Sequence, residues 1–388
     1  MTGSREFGTG SVVCDNDCET LLLAGERALY DEGDLQAARV HFDAAYREAE
    51  RQCDEESMGR AALGLGGLWV HEHRTEAEAA MVRERQRDAL LLLDPSSVLA
   101  LRLRIRLAGE DDYRTGRHGA IIALLAEARN SVDPVPLAEA LSLAHHCVLG
   151  PQHGDLRLAL ARNLIAESSR TGRRSDLLMG LLWHTVDLLG AADPHAQRRL
   201  GELRALLAQE DHLAVRFVVD AIEVMLSIRA GRFAEAEKMA SACADVGAAA
   251  GDADSFGWFA GQLGTIRWYQ GRIAELVPML SELVNSPMLS AVDNSGLAGL
   301  AVAAATAGDR RLATGALARL RGHSLAELPR SSSWLMSMYS VVEAADLLGD
   351  AETAEQAYAL LEPYADLPVM VSLGIPFFLY FRNKTPTA

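Results

Sequence analysis

The residue types that could build a binding site in this 388-residue chain are five tryptophans, Trp69, Trp183, Trp258, Trp268 and Trp334, and His184 beside Trp183. An indole face buries a large apolar area with only two side-chain torsions to fix. Several such faces on one concave wall form a groove for a small molecule, a peptide or a partner helix. The plainer role for each tryptophan is to fill space between neighbouring helices. Other reactive side chains are poorly spaced. His71 and His73 diverge by about 200° on a helix and cannot share a metal. His145, His146 and Cys147 are adjacent and diverge too. Cys14 and Cys18 could lie on one helical face, but a third and fourth ligand are not evident. The sequence has no G-x-S-x-G elbow, no H-E-x-x-H and no G-x-x-x-x-G-K-[ST]. The glycine cluster Gly64, Gly66 and Gly67 lies in a helical pattern and lacks the lysine of a phosphate loop. These residues point to binding: no catalytic residue, no metal site and no cofactor is expected.

The formal net charge of −16 opposes nucleic-acid phosphates, and no basic stripe with interleaved aromatics offsets it. Direct nucleic-acid binding is therefore not expected. Five scattered cysteines, an odd number, suit a reducing compartment. The N-terminus lacks a basic-then-apolar signal pattern, and the most apolar stretch, 297–307, is too short to span a bilayer. A cytoplasmic protein without a membrane partner is expected. Residues 1–11, MTGSREFGTGS, read as cloning-site sequence, so 1–17 is set aside as a disordered or foreign start.

The elements that must hold the tryptophans repeat along the chain. Turn-like glycines recur at Gly33, Gly116, Gly154, Gly190, Gly231, Gly271, Gly308 and Gly349, with late spacings of 41, 40, 37 and 41 residues. One further turn, without glycine, is needed near Arg74 and Thr75. Small or apolar residues follow the glycines at offsets +2, +5, +9 and +12. Examples are Leu35, Ala38, Phe42 and Ala45, or Phe233, Ala236, Ala240 and Cys243. Such offsets trace one face of a helix. The units after Gly271 and Gly349 keep all four positions, and those after Gly116 and Gly308 keep three. After Gly154 the third slot is polar Asn163, and after Gly190 the second helix must start late, near Pro194.

This spacing predicts an all-α, TPR-like α-solenoid of about nine helical hairpins over residues 18–374, with no sheet. First helices are expected near 18–32, 57–73, 96–114, 135–149, 174–189, 211–229, 252–270, 293–307 and 331–348. All five tryptophans then fall on first helices, which line the concave side of an open arc on the order of 90 Å along the stack. Residues 375–388 form an apolar tail, expected either to cap the ninth hairpin or to dock on a second copy and make a homodimer.

From about residue 134 the phrasing resembles a known family. EALSLAHHCVLGPQHGDLRLALARNLIAESSRTG (139–172), GRFAEAE (231–237), RWYQGRIAELVPML (267–280) and AADLLGDAETAEQAYALLEPYADLPVMVSLG (344–374) are similar to the helical-repeat region of the large ATP-binding LuxR-type transcriptional regulators. The same repeats occur in related actinobacterial proteins with a cyclase domain. The resemblance covers roughly 18–374. In that family an ATPase precedes the repeats and a helix-turn-helix follows them; neither signature occurs in this sequence. The resemblance implies a regulatory module that senses a small-molecule or peptide effector, or docks a protein partner, in its groove. A biosynthetic enzyme, a small-molecule sequestering protein or a stand-alone interaction scaffold built on the same solenoid is the competing expectation.

Overall fold

Gly-Asp pairs show how the sequence turns one helix into the next. At Gly33-Asp34, Gly308-Asp309 and Gly349-Asp350 the glycine takes the left-handed conformation that ends a helix. The aspartate then caps the next one: the Asp34 carboxylate accepts from the Ala37 amide at 2.8 Å, Asp309 from Leu312 at 2.9 Å and Asp350 from Thr353 at 3.1 Å.

A computed structural model describes residues 15–72, 75–286, 292–322, 324–372 and 375–376. Of the expected disordered start, 1–14, including Cys14, lies outside the described residues, as do His73 and residues 377–388, whereas 15–17 already form the first turn of a helix. Helices follow one another as α1 (Asp15–Glu26, continued by a π-helical turn Arg27–Glu32), α2 (Leu35–Gln52), α3 (Glu55–Gly64), α4 (Glu76–Leu92), α5 (Val98–Arg114), α6 (Gly119–Ala128), α7 (Val135–Cys147), α8 (Gly154–Thr171) and α9 (Arg174–Gly190). They continue as α10 (Ala196–Gln209), α11 (Leu213–Arg229), α12 (Phe233–Ala250), α13 (Ser255–Tyr269), α14 (Val277–Leu283), α15 (Ser295–Thr306), α16 (Arg310–Arg321), α17 (Trp334–Leu348) and α18 (Ala351–Leu361). The all-α class holds. Among the described residues the one exception is a short antiparallel ribbon, β1 (Met370–Ser372) with β2 (Ile375–Pro376).

Each helix packs on the next in sequence, and odd-numbered helices also pack on each other. Composition explains the division. Helices α9 and α11 are apolar on nearly every side and buried accordingly. Even-numbered helices bury one stripe and face outward on the other. The expected stripe is buried in α2 (Leu35, Ala38, Phe42, Ala45), and its three positions are buried in α6 and in α16. It is shifted in α8, where Leu160, Leu164 and Ser168 are buried and Asn163 is exposed. There Gly154 starts the helix instead of making the turn. It is shifted again in α18, where Thr353, Ala357 and Leu361 are buried and Tyr358 is largely exposed, because α17 covers that helix from one side.

Two expectations need correction. The helix expected over 57–73 stops at Gly64. Gly66 and Gly67 break it, and Gly67 takes a positive φ of 77°. The following loop is held inside the molecule by Glu72, which accepts from the Leu68 and Trp69 amides at 2.5 and 2.8 Å, and by Arg106, which donates to the Trp69 carbonyl at 3.0 Å. Trp69 therefore sits on a loop.

Second, the array is not an open arc. Helix α2 touches α12, and the π-helical turn touches α9. The Ala214 amide donates to the Gly33 carbonyl at 3.1 Å, and Arg39 donates to the carbonyl of Gly251, 212 residues away in sequence. The stack has wound far enough for its start to meet its middle. Gly33 makes this approach possible: at φ +66° a Cβ there would stand 2.2 Å from Nδ1 of His212. Gly33→Ala is expected to lose about 1–2 kcal/mol from the left-handed backbone alone, and more from the clash. Urea unfolding checks it; an unchanged midpoint would refute the contact.

Of the tail, only Ile375 and Pro376 lie among the described residues, so the expected cap or docking segment falls outside them. β2 lies against α11 and α13, and β1 against α17. Val369 draws the chain inward by packing with Met336 and Tyr339, beside Trp258 and Trp268.

Candidate functional site

Successive odd-numbered helices pack directly on one another from α1 to α13, and α15 packs on α17. The α13–α15 step differs. Each of these two packs on the 3-10 turn Ile273–Leu276 and on α14. The apolar interior divides at the same place, one cluster running to Ile266 and a second starting at Ile273. Between the two helices lies a cavity of ≈ 140 Å³. At roughly 10–15 Å³ for each water-sized position, it has room for about ten non-hydrogen atoms.

Local sequence opens this space. Gly257, Gly261 and Gly264 recur at helical spacing on α13 and line the cavity, with Gly296 and Gly299 opposite on α15. A Cβ built on Gly257 or Gly264 meets nothing within 4 Å. The aromatic wall is Trp258 and Trp268, backed by Phe217 at 5.4 Å and Tyr339 at 6.1 Å between ring centroids. Tyr113 reaches the same cavity from α5.

Two carboxylates face it. Asp293, just before α15, accepts from the Ser333 hydroxyl at 2.6 Å and the Ser295 amide at 2.9 Å. Asp254, just before α13, also lines the cavity and keeps part of its surface exposed. Loss of water around it, and then the Asp293 charge, push its carboxyl up to about 7. Among the described residues no arginine, lysine or histidine lines the space.

A smaller cavity of ≈ 70 Å³ shares Tyr113, Asp254, Trp258 and Ser332 with the first. Its walls add Trp69, Trp183 and His146. Burial holds His146 neutral, down to about 3. Trp183 is stacked on His145 at 4.8 Å, and His145 meets Asp187 at 2.9 Å, so this part is largely structural packing.

The residues singled out in the sequence thus separate. Trp258 and Trp268 meet at the larger cavity, and Trp69 and Trp183 join Trp258 at the smaller one. Trp334 is buried in the second apolar cluster against Tyr364, 5.7 Å away, with the Arg330 guanidinium over its face. It lines neither space. His184 is buried elsewhere on α9, its pKa lowered by burial and by Arg199 and Arg162 on neighbouring helices. Sequence reasoning missed Tyr113, Asp254 and Asp293. The glycine spacing of α13, directly beside two tryptophans, was the signal that could have found the site.

Among the described residues no three His, Cys, Asp or Glu side chains converge to hold a metal ion, and the four described cysteines are free. No described helix is long and apolar enough to cross a membrane. Comparison of the chain with protein-family models and with curated proteins finds no match.

Proposed function

We propose that the chain is a TPR-like helical-repeat module whose work is to bind a small molecule in the α13–α15 cavity. The observation that carries this reading is the parting of two inner helices at one step of the stack, around a glycine-lined space walled by Trp258 and Trp268. Cavities of this kind, mostly apolar with a few fixed polar groups, suit small ligands. The resemblance to the repeat region of LuxR-type regulators makes the ligand an effector. The step lies between two apolar clusters, so occupancy would bias how they sit on each other, provided the ligand binds one arrangement better. A cavity-facing carboxyl near pH 7 is also what acid–base catalysis would use, which keeps an enzyme on the same solenoid as the second reading.

The test fills the cavity from within. An arene fragment library of about ten non-hydrogen atoms is screened by tryptophan fluorescence and thermal shift against the protein and Gly264→Leu. Hits that disappear in the variant support the site; a Cβ at position 264 meets nothing within 4 Å, so the added side chain extends into the cavity. The same hits in both proteins, or none in either, would sink it. Turnover of a hit would favour the enzyme.

A further inference from the structure

The cavity has a charge character that selects among small molecules. We propose that it takes a small organic cation, an amine on an aromatic or apolar body of about ten non-hydrogen atoms, with the ammonium held by Asp254 and Asp293. This rests on the α13–α15 cavity being the binding site.

Three features lead there independently. The first is charge: two carboxylates line the space and, among the described residues, no basic side chain does. An anion would meet repulsion with no counter-charge. The second is an unmet demand. Asp293 has two hydrogen-bond donors of its own, whereas among the described residues the Asp254 side chain has neither a hydrogen bond nor an ion pair, and its charged neighbour at the site is another carboxylate. A neutral ligand can donate a hydrogen bond to that carboxylate but brings no counter-charge. A cation gives both acids a partner where the surrounding protein weakens competition from water. The third is the wall. Trp258 and Trp268 offer indole faces, the strongest of the side-chain rings for a cation and equally able to cover an arene. Gly296 and Gly299 keep the opposite surface, on α15, low, so a flat ring can lie between the two helices.

The volume sets the size. An amine with one six-membered ring and a two-carbon arm fills about ten positions, whereas a peptide or a nucleotide does not fit. Ser295, Ser331 and Ser332 also line the space and leave polar contacts for a hydroxyl on the body.

Three commercially simple compounds of one shape separate charge from fit: tyramine (cationic), tyrosol (neutral) and 4-hydroxyphenylacetate (anionic). Calorimetry at pH 8 is expected to show tyramine binding at least tenfold more tightly than tyrosol, with the anion no better than tyrosol. Asp254→Asn, which keeps the shape and the fold, should bring tyramine down to the tyrosol value and leave tyrosol unchanged. Retained tyrosol binding reports that the variant's cavity is formed. Equal affinity for tyramine and tyrosol in the unaltered protein overturns the charge selection while leaving the cavity as the binding site. Failure of all three to bind, or tyramine affinity unaffected by Asp254→Asn, also overturns it. Tyramine binding that persists in Gly264→Leu would place the ligand elsewhere and refute the cavity reading itself.

Discussion

Glu72→Gln should gain stability relative to the unaltered protein as pH rises from about 4.5 to 7, reaching about 3 kcal/mol and then levelling off. Glu72 is 3% exposed, on the loop that turns inward after α3. Burial pushes its carboxyl up to about 7 even though Arg39 stands 3.8 Å away and backbone amides donate to it. In the unfolded chain the same group ionises near its ordinary value of 4.5. Between those values the folded form binds the extra proton, so stability falls with rising pH. Glutamine keeps an oxygen for the two amides and does not titrate, so the difference between the two proteins isolates this one group from other titrations. Urea unfolding of both proteins at pH 4.5, 6, 7 and 8 measures it. A constant difference across the range would show that Glu72 titrates normally.

The opposite sign is expected at Glu139. Its carboxylate accepts from Arg102 at 2.7 and 3.0 Å and from Arg173 at 3.1 Å. Burial alone would raise its pKa, but the two guanidiniums win and hold it at about 2. Glu139→Gln leaves Arg102 without a carboxylate partner in the interior, while Arg173 retains Asp176 at 3.0 Å. Breaking such a buried cluster by removing one member costs about 3–5 kcal/mol. The loss should be full above the ordinary glutamate value of 4.5 and shrink as pH falls from there towards 2, because the unaltered protein loses the interaction in that window. A loss below 1 kcal/mol at pH 7, or one that does not shrink in acid, would refute the assignment.

How much of this was legible can be traced residue by residue. Helix periodicity and left-handed glycines are local signals, and they placed α5, α9, α11, α13 and α17 within a few residues of where they lie. The end of α3 was also written locally, in Leu65-Gly66-Gly67. Its apolar neighbours outweighed the glycines because the partner that stabilises the turn, Glu72, works only once buried. The meeting of Gly33 with Ala214 leaves no periodic trace at all, since it joins units that are not neighbours in the repeat. The cavity was half legible. Trp258 and Trp268 stood out by type, and the glycines by spacing. Asp254 and Asp293 looked like ordinary residues before a helix, because what singles them out is the lack of a nearby base. That is a property of space rather than of sequence.

The contact between the start of the stack and its middle also changes how such an array comes apart. In a linear solenoid each unit leans only on its neighbours, so the ends fray first and need special capping repeats. Here α2 rests on α12, and Gly33 and Arg39 bond to backbone at the start of α11 and just after α12. The first hairpin is thus capped by a unit from the centre of its own chain. It cannot peel away without breaking contacts that form only after about 200 intervening residues have folded. Local unravelling at that end is thereby tied to disruption of the middle, and the two are expected to open together rather than separately.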